Sequence, residues 1–354
     1  MLSNKSKDTM PDIAVVNPLE KTNWNDLLLR SAGYSFFHTA QWAGTLAEAY
    51  GYQPLYLYEN NDNTPAGLLP LMEVKSPLTG KRGVCLPFTD ACEPIVKSDR
   101  QFNELWARAV SLGKERNWKY LEIRGGNQYL MEAPPFQVFW GHELDLRPGH
   151  EKLSQGLRNS TRRNIKKAYG EKLEINISTL PDTMKEFCRL NVMTRKEHGL
   201  PPQPDRFFRI LQNLVIGRDM GFIVTASTSG QVIAANVYLH FGMEVIYKYG
   251  ASDKRYQHLR ANNLVMWEAI KHSCDRGFKK LQFGRTEPQH KGLMQFKDGW
   301  GAKPYKMLYY RYDLRGKTFR ANDNAIPGKL KNIISKLPAP ALKTAGRILY
   351  RHIG

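Results

Sequence analysis

The chain has 354 residues, of which 42% are hydrophobic and 24% charged. That is the composition of a globular protein with material for about two cores, and it excludes a disordered or fibrous chain. Lys and Arg outnumber Asp and Glu by 52 to 33, giving a net charge of +19. The excess points to a polyanionic partner (nucleic acid, a phosphate-bearing substrate or an anionic membrane surface) or to solubility alone.

Cys85, Cys92, Cys188 and Cys274 form no CxxC pair and no Cys/His cluster at metal-ligand spacing, so no metal and four reduced thiols are expected. The N-terminal MLSNKSKDTMPDIAVV lacks the apolar core of a signal peptide. No stretch approaches the ~18 apolar residues that cross a bilayer. The expected location is the cytoplasm, with contact at the cytoplasmic membrane face through the C-terminus.

In chain order, Pro54–Tyr58 and Ala66–Val74 read as strands joined by the turn Asn60–Asn63. A strand at Gly83–Leu86, a helix at Asn103–Glu115 and strands at Tyr120–Arg124 and Phe136–Leu144 follow. Helical patterns over His150–Gly170 and Asp182–His198 then lead into a second run of the same order. Its strands are Phe222–Ala226, Val232–Phe241 and Glu244–Tyr249, and its helix is Ala261–Asp275, with Gly277 placed as the left-handed terminator. Strands at Leu281–Phe283 and Tyr305–Tyr312 close it. NWKYLEIRGG (117–126) matches RGFKKLQFGR (276–285) in position and pattern. A repeat of this length is a whole domain. The expectation is an α/β (α+β) chain with domains at 1–148 and 149–315 and a basic tail at 316–354. Two short basic amphipathic helices are expected over 329–354, broken at Pro338 and Pro340. Their apolar residues are Ile333, Ile334, Leu337, Leu342, Ile348, Leu349 and Ile353.

No GxSxG, HExxH or GxxxxGK[ST] pattern is present, which favours direct transfer between two bound substrates over a covalent enzyme intermediate. Three blocks carry candidate chemistry. LRNSTRRNIKKA (157–168) places Arg158 and Arg162 four residues apart on one helix face, with Arg163 and Lys167 beside them. This spells a phosphate clamp or a solvated basic face. In YGASDKRYQHLRANNLVMWEAI (249–270), Arg255, His258 and Arg260 sit just before a helix beginning at Ala261 and Asn262. Free backbone N–H groups there attract phosphate, or are capped by Asn262. In QFGRTEPQHKGLMQFKDGWGAKP (282–304), Arg285, Glu287, His290, Lys291 and Lys297 crowd a strand end and a short helix. Acyl transfer to an amine needs a proton acceptor, for which Glu287 or His290 is suited, and an oxyanion partner, for which Lys297 is suited.

Together these blocks resemble the Fem family of peptidyltransferases, whose members resemble two fused GNAT-type acetyltransferase domains. FFHTAQWA (36–43) and GLLPLMEVKS (67–76) are similar to its first lobe. STRRNIKKA (160–168), TRKEHGLPPQP (194–204), YKYGASD (247–253), LRANNLVMWEAI (259–270) and FGRTEPQHKGLMQFKDGWGAKP (283–304) are similar to its second. The likeness spans about residues 30 to 313 and is nearest the Fem-like proteins of exopolysaccharide and exosortase systems. It implies amide formation on an amine of a cell-envelope precursor. Arg162 and Arg163 would meet precursor phosphate and Arg285 would line the substrate site. Phe296 and Lys297 would stand at the transfer site, and residues 255–262 would hold the donor phosphates. The implied donor is aminoacyl-tRNA, or acyl-CoA as in acetyltransferases. His258-Leu259-Arg260-Ala261-Asn262-Asn263 lacks the glycines usual before the helix in CoA-binding members, and the heptad-rich arm of some tRNA-dependent members is missing. An acyl-CoA-dependent N-acetyltransferase, and a non-catalytic polyanion-binding or membrane-tethering protein, remain the competing expectations.

Overall fold

The computed structural model describes residues 13–61, 64–321 and 337–353. Its first part runs β1 (Ile13–Val16), α1 (Trp24–Leu29), α2 (Ala40–Tyr50), β2 (Gln53–Pro54), β3 (Tyr56–Asn61), β4 (Thr64–Leu69), β5 (Met72–Ser76) and β6 (Gly80–Val84). Crossover helix α3 (Asp99–Glu115) leads to β7 (Tyr120–Arg124) and β8 (Gln137–Asp145). Next come α4 (Gly149–Gly156), α5 (Asn159–Gly170), β9 (Glu174–Ser178), α6 (Pro181–Glu197) and α7 (Asp205–Leu214). The second part runs β10 (Gly221–Thr228), β11 (Gln231–Phe241), β12 (Glu244–Ser252), crossover helix α8 (Ala261–Asp275), β13 (Lys280–Gln282), α9 (Lys291–Asp298) and β14 (Lys303–Asp313). Strand β15 (Thr318–Arg320) and helix α10 (Ala339–Ile353) end it.

The two crossover helices end in the same way. Gly277 is left-handed at φ 79°, its N–H bonds the Cys274 carbonyl, and Phe278 N–H reaches back to Ser273. Asn117 (φ 56°) does this in the first part, with Trp118 N–H on Gly113. Both are Schellman stops; Asn is the non-glycine residue that best tolerates this conformation. They align Asn117 with Gly277, so the internal match is offset by one residue from that read in the sequence. Strand pairing agrees: parallel β6–β7 pairs Gly83 with Leu121, and parallel β12–β13 pairs Val245 with Leu281.

Among the described residues a 12-stranded sheet has the order β2-β5-β6-β7-β14-β8-β13-β12-β11-β10-β9, with β15 pairing β14 off this path, and β1-β3-β4 form a separate sheet. The last strand of each part is exchanged. β14 lies between β7 and β8, while β8 pairs β14 on one side and β13 on the other. One large core follows this seam, from Trp24, Trp42 and Tyr56 to Phe207, Ile246 and Tyr350, and a second packs α8 against β10–β13.

Three expected elements differ. The second strand of the first hairpin breaks at Pro70–Leu71, so β4 and β5 join different sheets; proline has no N–H to continue a ladder. The helical stretch 150–170 divides at Leu157 and Arg158 (ψ 140° and 141°), because the Arg158 N–H is taken by the Gly299 carbonyl at 3.1 Å. Arg158 is therefore a cap residue and does not share a helix face with Arg162. In the tail one helix is seen, with Pro340 in its first turn, where proline is tolerated; the expected helix at 329–336 lies outside the described residues.

Candidate active site

Strands β12 and β13 are hydrogen-bonded only from Glu244–Ile246 to Lys280–Gln282. Beyond this they part. Phe283 N–H turns to the His142 carbonyl of β8, while β12 continues along β11 to Ser252. A cavity of about 350 Å³ opens in the wedge, lined by Tyr247, Gly250, Arg260–Asn263 and, from α9, Leu293 and Phe296. Its far end is the N-terminus of α8. The backbone N–H groups of Ala261 and Asn262 have no acceptor among the described residues, and with the helix dipole they form a ready anion site. Arg260 holds the turn in the left-handed region (φ 59°), a conformation that normally goes to glycine. The arginine thus takes the shape of the expected glycine turn and adds a charge.

At the other end of the wedge, the β11–β12 register shifts between Val237 and Tyr238, whose partners are Tyr249 and Tyr247. Lys248 is the extra residue of this bulge. Its ammonium points into the seam, 2.9 Å from the Asp90 carboxylate and 2.8 Å from the Phe88 carbonyl. The Phe37, Trp42 and Tyr249 rings lie 5.0–5.7 Å away. Burial pushes the Asp90 carboxyl up, but Lys248, Arg285 and Lys297 outweigh it and hold it below its ordinary value. Burial likewise lowers Lys248, and the Asp90 charge only partly restores it.

Lys297 is 2% exposed, on α9. Its Nζ donates to the Gly284 carbonyl at 2.8 Å. Burial brings it down to about 8 against the pull of Asp90. Gly284 is left-handed (φ 65°), and a side chain there would press on Asp90 Oδ2 and the Tyr247 carbonyl. Arg285 is exposed to solvent. It lies over the Phe139 ring at 4.6 Å and donates to the Tyr309 hydroxyl, which in turn donates to the Asp90 carbonyl at 2.6 Å. Asp90, Lys248, Arg285, Lys297 and Tyr309 thus form one polar cluster drawn from both parts of the chain. Near it, His142 Nε2 lies 3.1 Å from Asp298.

The other candidates sit as follows. Phe296 lines the wedge and meets Trp300 edge to face. Glu287 and His290 are a loose exposed pair 3.8 Å apart, and Glu287 accepts from Gln289. Arg260, Ala261 and Asn262 line the wedge, with Asn262 donating to Ser252 rather than capping its own helix. Arg255 is held by Asp253 at 2.6 Å, and His258 is exposed; neither lines the cavity. Arg162 donates to the carbonyls of Ser154, Gln155 and Leu157, closing the C-terminal end of α4. Arg158 and Arg163 are exposed beside it.

Asp90 had no signal in the sequence, and Lys248 appeared there only as part of YKYGASD (247–253), with no role read for it. A lysine between two tyrosines on a strand reads as the outward position, and only the bulge turns it in. Asp90 lies in a loop whose neighbours Leu86 (φ 52°) and Phe88 (φ 60°) adopt conformations that no composition announces. Among the described residues no group of three His, Cys, Asp or Glu gathers as a metal site, and all four cysteines are free.

Residues 155–307 match the family model described as an acetyltransferase (GNAT) domain. No curated protein matches the chain. Among solved structures, FemX is 13% identical with a TM-score of 0.67, covering 80% of this chain and 94% of its own. A tandem GNAT protein from the clavulanic acid biosynthesis pathway is 12% identical at 0.56, covering 86% of this chain and 98% of its own. L-PGS from Bacillus licheniformis is 10% identical at 0.52, covering 88% and 96%. The chain therefore has the tandem acetyltransferase fold of the Fem-like proteins, and is an acyltransferase with a GNAT domain in its second half.

Proposed function

We propose that the protein forms an amide on an amino group of a cell-envelope precursor, peptidoglycan- or exopolysaccharide-related, at the cytoplasmic face of the membrane. The observation that carries this is the wedge between β12 and β13, with the uncapped N-terminus of α8 in its lining together with Phe296, the chain neighbour of the buried Lys297. A phosphate-bearing donor lies with its phosphates at Arg260, Ala261 and Asn262 and its carbonyl toward Phe296 and Lys297. The acceptor amine attacks the carbonyl carbon, a C–N bond forms, and the ester or thioester bond breaks. The amine proton leaves to the departing oxygen or sulfur or to solvent. Lys297 stabilises the oxyanion of the tetrahedral intermediate. Arg285 is within reach of an acidic group of the acceptor, and Arg158, Arg162 and Arg163 flank its phosphate side. In this reading 1–148 and 149–315 are the two acetyltransferase-like domains.

The donor is aminoacyl-tRNA or acyl-CoA. The helix N-terminus, which no side chain caps, favours CoA, and the arginine in place of glycine favours a bulkier polyanion. The deciding experiment supplies purified protein with labelled acetyl-CoA or labelled aminoacyl-tRNA, at two salt concentrations, and scores salt-resistant binding and transfer to an amine acceptor. Salt is varied because non-specific RNA binding collapses as it rises. Transfer from neither donor overturns the reading.

A further inference from the structure

On a separate face, a cleft of about 680 Å³ lies between the end of α2, the start of α7 and α10. Arg206 and Arg209 line it from α7, and Lys343, Arg347 and Arg351 line it from α10. Two carboxylates share the lining. Asp205 is taken by Lys343 at 2.9 Å, and Glu48 holds Arg206 through its backbone carbonyl. Arg209, Arg347 and Arg351 meet no carboxylate among the described residues. α10 is anchored inward by Leu342, Gly346 and Tyr350, one turn apart, which leaves Lys343, Arg347 and Arg351 as a stripe facing water. Its last two turns also expose Ile348 (52%), Leu349 (39%) and Ile353 (56%). Aliphatic tips beside unpaired arginines are a poor platform for bases, which stack on aromatic rings, but they match the boundary between lipid phosphate and acyl chains.

We infer that this cleft and the end of α10 dock on an anionic lipid surface, with phosphates at Arg206, Arg209, Arg347 and Arg351 and with Ile348, Leu349 and Ile353 entering the interface. The inference does not rest on acyl transfer. Each basic residue near an anionic surface contributes roughly fivefold in affinity.

The test is co-sedimentation of the full chain with vesicles of phosphatidylcholine alone or mixed with phosphatidylglycerol. Phosphatidylglycerol should tighten binding at least tenfold. The R347E/R351E variant should remove most of that gain, and I348S/I353S should lose the part that survives raised salt, with unchanged melting temperatures for both. Equal binding to both vesicles, wild-type binding by R347E/R351E, or indifference to I348S/I353S would overturn the proposal. So would a mixed tRNA probe that binds tightly and depends on the arginines while the vesicles do not bind; that result would make this an RNA surface.

Discussion

The Asp90 carboxylate, carried by the loop after β6, meets the Lys248 ammonium, carried by the bulge of β12, at 2.9 Å, with side chains 14% and 4% exposed. Each is the other's main charge partner across the seam. Removing one strands the other in a low-dielectric site. Asp90→Ala should therefore cost about 3–5 kcal/mol in urea unfolding, whereas D90A/K248M should recover much of that. Because Asp90 titrates below its unfolded value, its contribution is present above about pH 4 and lost as pH falls through the folded value. An acid unfolding curve that Asp90→Asn leaves unmoved would contradict this.

Lys297 should set the alkaline limit of activity. Acting as the charged oxyanion donor, it should give a kcat that falls as pH rises through about 8. Stability should move the other way. The folded value lies below the unfolded one, so between about 8 and 10.5 the unfolded chain holds more protons and folding gains as pH rises. Lys297→Met should lower kcat by roughly 100- to 1,000-fold with donor binding retained. A pH–rate profile with no alkaline limb near 8 would remove Lys297 from this role.

Arg260→Gly separates strain from binding. Relieving a left-handed arginine gains about 1–2 kcal/mol, and the added freedom of glycine takes back about 0.5–1. The melting temperature should hold or rise slightly, while KM for the anionic donor increases. An unchanged KM would show that the guanidinium does not meet the donor.

Gly346 is the contact by which α10 lies against the loop after α6, since a Cβ there would strike the Pro202 carbonyl. Gly346→Ala should cost about 1–3 kcal/mol. It should also weaken the bonds of Tyr350 to Arg195 and Pro201, which Tyr350→Phe removes by itself at about 1 kcal/mol. Additive losses in the double variant would show that the two contacts are uncoupled.

The fold was legible wherever the local code is strong. Helix α8 keeps its expected bounds because a dense apolar run ends at Gly277, and β7 keeps its own between Lys119 and Gly125. What escaped was set by non-local pairing. The exchange of β8 and β14 leaves no periodicity, and the Arg158 cap depends on a carbonyl at Gly299, far along the chain. The site divides in the same way. Lys297, Phe296 and Arg260 stand in short motifs that crowd one strand end or one helix start. Asp90 and Lys248 depend on a bulge and a strained loop that act on each other only in the folded chain.

The exchange of terminal strands also constrains how the molecule is made and lost. A fragment ending before Gly149 would keep β8 without its partners β13 and β14, and would leave β7 with an open edge in place of β14. Such edges invite aggregation. The two halves are thus related as protomers of a swapped dimer written into one polypeptide. They should melt in a single transition, and separately expressed halves should be soluble only when produced together.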